Sequence, residues 1–183
     1  MMPPEPPQHP IGPFQSVEPM DKAADDAIRK TWIQELSRLP QQLGNATQGM
    51  TDSQLDTKYR NWTIRQIVHH LADSHINSYV RFKWTLTEDA PVIKAYDETA
   101  WSDLRESRIG SVAPSLQLLE GLHSRWCQLL MTLTAEDYLR SFVHPESGDV
   151  VSLHMALSYY VWHGKHHMGQ ILWLREQGMF ESA

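Results

Sequence analysis

Cysteine is almost missing from this sequence. A single thiol, Cys127, in 183 residues excludes an internal disulfide and any paired-cysteine metal or redox motif. Long apolar runs are missing as well: nothing approaches the ~18 consecutive apolar residues of a membrane helix. The opening MMPPEPPQHP has neither a basic nor an apolar leader segment. Positive charge is in deficit, with 16 Lys and Arg against 22 Asp and Glu. The net charge of −6 argues against a nucleic-acid partner, which requires a basic face. There is no glycine-rich phosphate loop, no GxSxG elbow, no HExxH and no His-Asp dipeptide. What remains is the expectation of a soluble, cytoplasmic protein with no nucleic-acid or membrane partner.

Proline parses the chain. Seven of eleven prolines fall in the first twenty residues, which predicts an extended arm over residues 1–19 and one helical domain over 20–183. The other four, Pro40, Pro91, Pro114 and Pro145, sit at the edges of segments with helical periodicity. Four helices are predicted: about 21–39, ended by Pro40; 63–88, opened by a Thr63/Gln66 capping box; 115–133; and 152–177, capped by Gly178. A short strand pair is expected around Phe142–Val151. The fold class is therefore all-α, a four-helix bundle with a long crossover loop, residues 91–113, between the second and third helices. Loops of that length often cover a site.

Histidine is the one abundant reactive residue, and seven of the ten occupy two helical windows: His69, His70 and His75, then His154, His163, His166 and His167. At roughly 100° per residue, His163 and His167 share the centre of an apolar face with Leu153, Ala156, Tyr160, Ile171 and Leu174. Ser158, Lys165, Gly169 and Glu176 form a narrow strip opposite, suited to water. Two imidazoles one turn apart on an inward face can converge on one cation. The plainer account, two core histidines, needs a partner for every buried ring nitrogen. On the second helix, His70 lies on a polar stripe with Gln66, Ser74, Asn77 and Arg81, close to Asp73, beside the apolar stripe Ile64, Ile67, Val68, Leu71 and Phe82. His69 lies on the other side, and periodicity does not choose between the two. A single ExxH, Glu120 to His123, falls short of a di-iron site. Cys127 reads as a packing residue.

The segments WTIRQIVHHLADSHINSYVRFKWTLTE, YDETAWSDL and YVWHGKHHMGQI closely resemble the YfiT-type metal-dependent hydrolases of the DinB-like superfamily. HPIGPF and MTDSQLDTKYR extend the likeness to nearly the whole chain. The resemblance implies a bundle holding one divalent ion, zinc or nickel, on three histidines, here His70, His163 and His167. It thereby selects His70 over His69. Lys165 and Gln170 stand where relatives often carry further histidines. The resemblance leaves two reactions open, hydrolysis of a small-molecule substrate or transfer of a low-molecular-weight thiol such as bacillithiol, mycothiol or glutathione. A non-catalytic, metal-stabilised binding module is the third reading. Asp73 is the candidate proton acceptor or anchor of a ligand imidazole, with Asn77 and Arg81 as substrate-binding candidates. Tyr159, Trp162 and Trp173 make the last helix apolar beyond the histidine face, so a homodimer is expected.

Overall fold

A capped, amphipathic segment buries its apolar stripe wherever a neighbour offers one, and four segments here do so together. The computed structural model describes residues 4–178, the side chain of Ala23 excepted. In chain order the elements are α1 (Lys22–Thr47), α2 (Asp52–Leu55), β1 (Lys58–Tyr59), β2 (Trp62–Thr63), α3 (Ile64–Thr87), α4 (Glu98–Ser102), α5 (Arg105–Ile109), α6 (Ala113–Thr132), α7 (Ala135–Leu139), β3 (Ser141–Val143), β4 (Val150–Ser152) and α8 (Leu153–Glu176). The long helices α1, α3, α6 and α8 form the bundle. Both α1 and α3 pack against α6 and α8, so helices successive in the chain, α1 and α3 or α6 and α8, are diagonal partners. Among the described residues no helix is long and apolar enough to cross a membrane.

The core has two apolar clusters. One contains Trp32, Leu36, Phe82, Trp126, Leu130, Leu153 and Leu157. The other contains Leu39, Leu43, Ile64, Val68, Leu71, Leu119, Ile171 and Leu174. On α3, α6 and α8 the change from one cluster to the other occurs at His75, His123 and the His163–His167 turn, all of them buried. A histidine layer thus lies inside the bundle. Gly164 lets α1 approach α8 at this level, since a Cβ there would meet a Leu39 methyl at 2.5 Å.

Several expectations are corrected. Pro40 lies inside α1 and does not end it; the helix continues to Thr47. The crossover loop folds into α4 and α5, which lie along α3. The hairpin β1–β2 was not expected, since two-residue strands carry no periodicity. The strand pair near Phe142–Val151 is present as β3–β4. Gly178 follows α8 in the left-handed region, and its N–H donates to the Arg175 carbonyl.

The strip opposite the histidine face of α8 is not a water-facing surface throughout. Ser158 is buried, and Gly169 lies beneath Pro10 and Ile11 of the N-terminal arm. The arm also sets Phe14 edge-on to Tyr159, and the Trp162 indole N–H donates to the Gly12 carbonyl at 3.1 Å. Tyr59 meets Trp173 edge-on at 5.6 Å. The chain itself therefore covers part of the aromatic flank from which a homodimer is expected, and Tyr159 remains exposed there. Residues 1–3 of the expected arm and 179–183 of the expected domain lie outside the described residues.

The start of α3 is held by one buried cation. The Thr63/Gln66 capping box forms as expected. Arg65, 3% exposed, donates from Nε to Asp56 at 2.8 Å, from Nη2 to Asp52 at 2.9 Å and from Nη1 to the Gly110 carbonyl at 2.8 Å. Replacing Arg65 with Ala should cost about 1–3 kcal/mol, through the lost charge-assisted hydrogen bonds and the lost packing of its buried side chain. At roughly 2–4 °C per kcal/mol for a chain of this size, thermal unfolding should show a clear fall in Tm; an unchanged Tm would contradict this role.

Candidate metal centre

The capping box of α3 and the Ser152 cap of α8 set the phase of the two helices that carry the site. His70 and His163 face each other across the α3–α8 contact with their Nε2 atoms 3.1 Å apart. His167, one turn along α8, completes the group. One donor atom from each of His70, His163 and His167 lies within 4.8 Å of the others. Two nitrogens bound to one zinc at about 2.0–2.1 Å in a tetrahedral arrangement lie about 3.3 Å apart. The donor set and its spacing fit a divalent ion. Among the described residues no cysteine, carboxylate or fourth histidine joins the group.

Each neutral imidazole can offer its lone pair inward only when the other nitrogen keeps its proton. His167 Nδ1 contacts Gln170 Oε1 at 2.8 Å, and the Gln170 amide nitrogen donates to His166 Nε2 at 3.0 Å. His163 Nδ1 lies 3.4 Å from His75 Nε2. His75 Nδ1 lies 2.9 Å from His123 Nε2, and His123 Nδ1 is 2.7 Å from the Leu36 carbonyl. Trp62 covers the group, its ring 4.6 Å from His70 and 6.2 Å from His167.

Burial keeps these rings neutral. It lowers the pKa of His70 and of His123 to about 4. His75, His163 and His167 are held well below the usual histidine value by burial and then by the neighbouring histidines. Asp73, half-buried three residues after His70, is pushed up to about 6 by burial and by the Glu106 carboxylate.

A cavity of about 610 Å³ lies about one helical turn from the group, and none of the three histidines is among its lining residues. Ser74, one turn beyond His70, and Tyr159 and Tyr160, one turn before His163, line it together with Arg81, Tyr96 and Glu98. The ring of Tyr160 is 5.9 Å from that of His163. The crossover segment therefore walls the cavity through residues 96–99, while Trp101 packs on Tyr96 from behind the lining.

The remaining sequence candidates separate. Arg81 lines the cavity, half-buried, donating to the Tyr160 hydroxyl at 3.2 Å and the Lys94 carbonyl at 3.4 Å. Asn77 donates its amide to the backbone carbonyl of Asp73 at 2.8 Å and does not line the cavity. No hydrogen bond joins the Asp73 carboxyl to a ligand imidazole among the described residues, so its expected anchoring role passes to Gln170 and His75. His69 turns away, with Nδ1 2.8 Å from the Ser115 hydroxyl. In the sequence Gln170 stands out only as a departure from the family pattern, and His75 and His123 carry no spacing signal.

The lowered histidines give the metal-free protein a defined acid response. Between pH 6.5 and about 4 the unfolded chain takes up protons that folded His70, His75, His123, His163 and His167 refuse, so stability falls as pH falls. Asp73 below pH 6, and Glu98, whose pKa burial also raises, act the other way, but as two groups against five. Denaturant unfolding at pH 7.5 and pH 5 should show a markedly lower midpoint at pH 5; equal midpoints would contradict neutral burial of the histidine layer.

Comparison with known proteins agrees with this architecture. The family model described as the DinB superfamily matches residues 26–171. YfiT of Bacillus subtilis is 49% identical over 165 residues, covering 89% of this chain and 90% of its own. A relative from Oceanobacillus iheyensis is 45% identical over 166 residues, covering 90% of this chain and 93% of its own. Both are named as metal-dependent hydrolases. Among solved structures, one described as "YfiT from Bacillus subtilis is a probable metal-dependent hydrolase with an unusual four-helix bundle topology" matches with a TM-score of 0.88 at 47% identity, covering 94% of this chain and 98% of that one. The chain belongs to the DinB superfamily, as a YfiT-like four-helix bundle.

Proposed function

We propose that this protein is a metal-dependent hydrolase of a small-molecule substrate, with one divalent ion, zinc or nickel, held by His70, His163 and His167. One observation carries the reading: three buried, neutral imidazoles converge on a point, and no fourth protein ligand closes it among the described residues. Structural zinc is usually closed by four protein ligands, whereas a three-ligand set leaves a position open for chemistry. Imidazole donors suit zinc and nickel alike. An ion bound there supplies Lewis acidity and brings the pKa of water down to about 7.

The residues of this chain supply the rest. The cavity one helical turn from the histidines has the size of a small-molecule site, and its mixed polar and aromatic lining suits a compact polar substrate. Arg81 already spends donors on Tyr160 and Lys94, which holds its guanidinium in the cavity wall, where it orients the substrate. Asp73 is the proton acceptor in this reading, because a carboxyl pushed up to about 6 is ionised at neutral pH yet more basic than an exposed one.

Metal analysis of untagged protein reconstituted with zinc or nickel should give one ion per chain, falling to none in His163→Ala. Retention of the ion by that variant would refute the ligand assignment. Asp73→Asn should keep the ion, lose about 10²–10⁴-fold in kcat and lose the rise in activity through pH 6. A variant with full kcat and the same pH profile would remove Asp73 from the mechanism. A substrate screen with and without bacillithiol, mycothiol and glutathione tests the reaction itself. Turnover in water alone is expected; turnover strictly dependent on a thiol would replace hydrolysis by thiol transfer.

A further inference from the structure

We propose that His75 and His123 are positioning residues of the metal centre: anchored on the Leu36 carbonyl, they fix His163 in the tautomer whose Nε2 carries no proton. The inference rests on the reading of His163 as a ligand and concerns residues to which neither the reading nor the family match assigns a role.

The row of hydrogen bonds starts in α1. In a regular helix the N–H of residue 40 would bond the carbonyl of residue 36, but Pro40 has no N–H. The Leu36 carbonyl is therefore without its helical donor, and Leu36 is 1% exposed, out of reach of bulk water. His123, on α6, fills the gap with Nδ1 at 2.7 Å. A carbonyl only accepts, so this nitrogen carries the proton. His123 Nε2 is then an acceptor, and His75 Nδ1–H donates to it at 2.9 Å with the two ring planes within 9° of each other. His75 Nε2 is in turn left as an acceptor, and His163 Nδ1–H donates to it at 3.4 Å, the longest link. The last ring in the row has its remaining lone pair on Nε2, the atom that faces His70.

The opposite direction cannot be built from neutral rings, because its first member would present a lone pair to a carbonyl oxygen. Reversing it requires a charged His123. His123 and His75 are 1% and 0% exposed, and neither has an ion pair among the described residues. The polarity of the row is thus set by a proline and a backbone carbonyl on α1, and it passes through α6 and α3 to a ligand on α8. Histidine ligands commonly hold their second nitrogen to a carbonyl or carboxylate, and losing that partner costs about 10–100-fold in metal affinity. Here two further histidines stand between the ligand and the carbonyl.

The test is histidine-resolved ¹H–¹⁵N NMR of the metal-free wild-type protein at pH 7.5, followed by zinc titrations of variants. His123, His75 and His163 should each show a protonated Nδ1 and an unprotonated Nε2. An Nε2–H tautomer or a cation at any of the three overturns the relay, whatever the protein binds. In the titrations, His75→Leu should weaken zinc binding about 10–100-fold and release the His163 tautomer. His75→Gln, which can accept from His163 and donate to His123, should restore most of the affinity. Equal affinity for wild type and His75→Leu, or no difference between the Leu and Gln variants, also overturns the proposal. Correct tautomers in a wild-type protein that binds no zinc or nickel would support the relay and refute the metal reading, so the two failures are distinguishable.

Discussion

Three imidazoles are held uncharged at one point inside a helical bundle, and the rest of the structure depends on that constraint. A protonated histidine in such a place would face desolvation with no carboxylate to offset it. Burial therefore selects the neutral ring, and only the neutral ring has a lone pair to give. The same burial that makes the histidines good donors makes each of their N–H groups a liability unless something accepts it. Gln170 accepts for His167, and His75 for His163. The apolar clusters above and below hold those partners in register.

The diagonal placement of successive helices makes this possible. Because α1 and α3 are not neighbours, each faces both α6 and α8, and a layer through the bundle samples all four helices. One turn of α8 can then meet α3 at the histidine triad, while α3 reaches α6 through the His75–His123 contact and α6 reaches α1 at Leu36. The crossover between α3 and α6 is long because it returns along α3, and in doing so it walls the cavity one helical turn from the triad. The arm before α1 covers part of the outer flank of α8, at Trp162 and Gly169 and against one edge of Tyr159.

Much of this was readable from local pattern. Apolar spacing on α8 placed His163 and His167 together facing inward, and the Thr63/Gln66 box marked where α3 begins. The choice of His70 over His69 was not local; it came from resemblance, and the structure turns His69 toward Ser115. Pro40 misled because a proline usually marks a helix boundary, whereas here a side chain from another helix satisfies the carbonyl it frees. The partners of the triad were illegible for the same reason. His75 and His123 are 48 residues apart and meet only through the packing of α3 on α6, which no periodicity encodes. The strip opposite the triad was misread because an arm with no helical pattern of its own covers part of it.

In the proposed function, one ion sits among these three rings with a vertex left open. Anomalous diffraction from crystals of the nickel- or zinc-loaded protein, collected at the metal edge, tests it directly. The account predicts one strong peak per chain about 2.0–2.2 Å from a nitrogen of each of His70, His163 and His167, with no other protein atom in the coordination sphere. A peak elsewhere, or a fourth side chain completing the sphere, would contradict it.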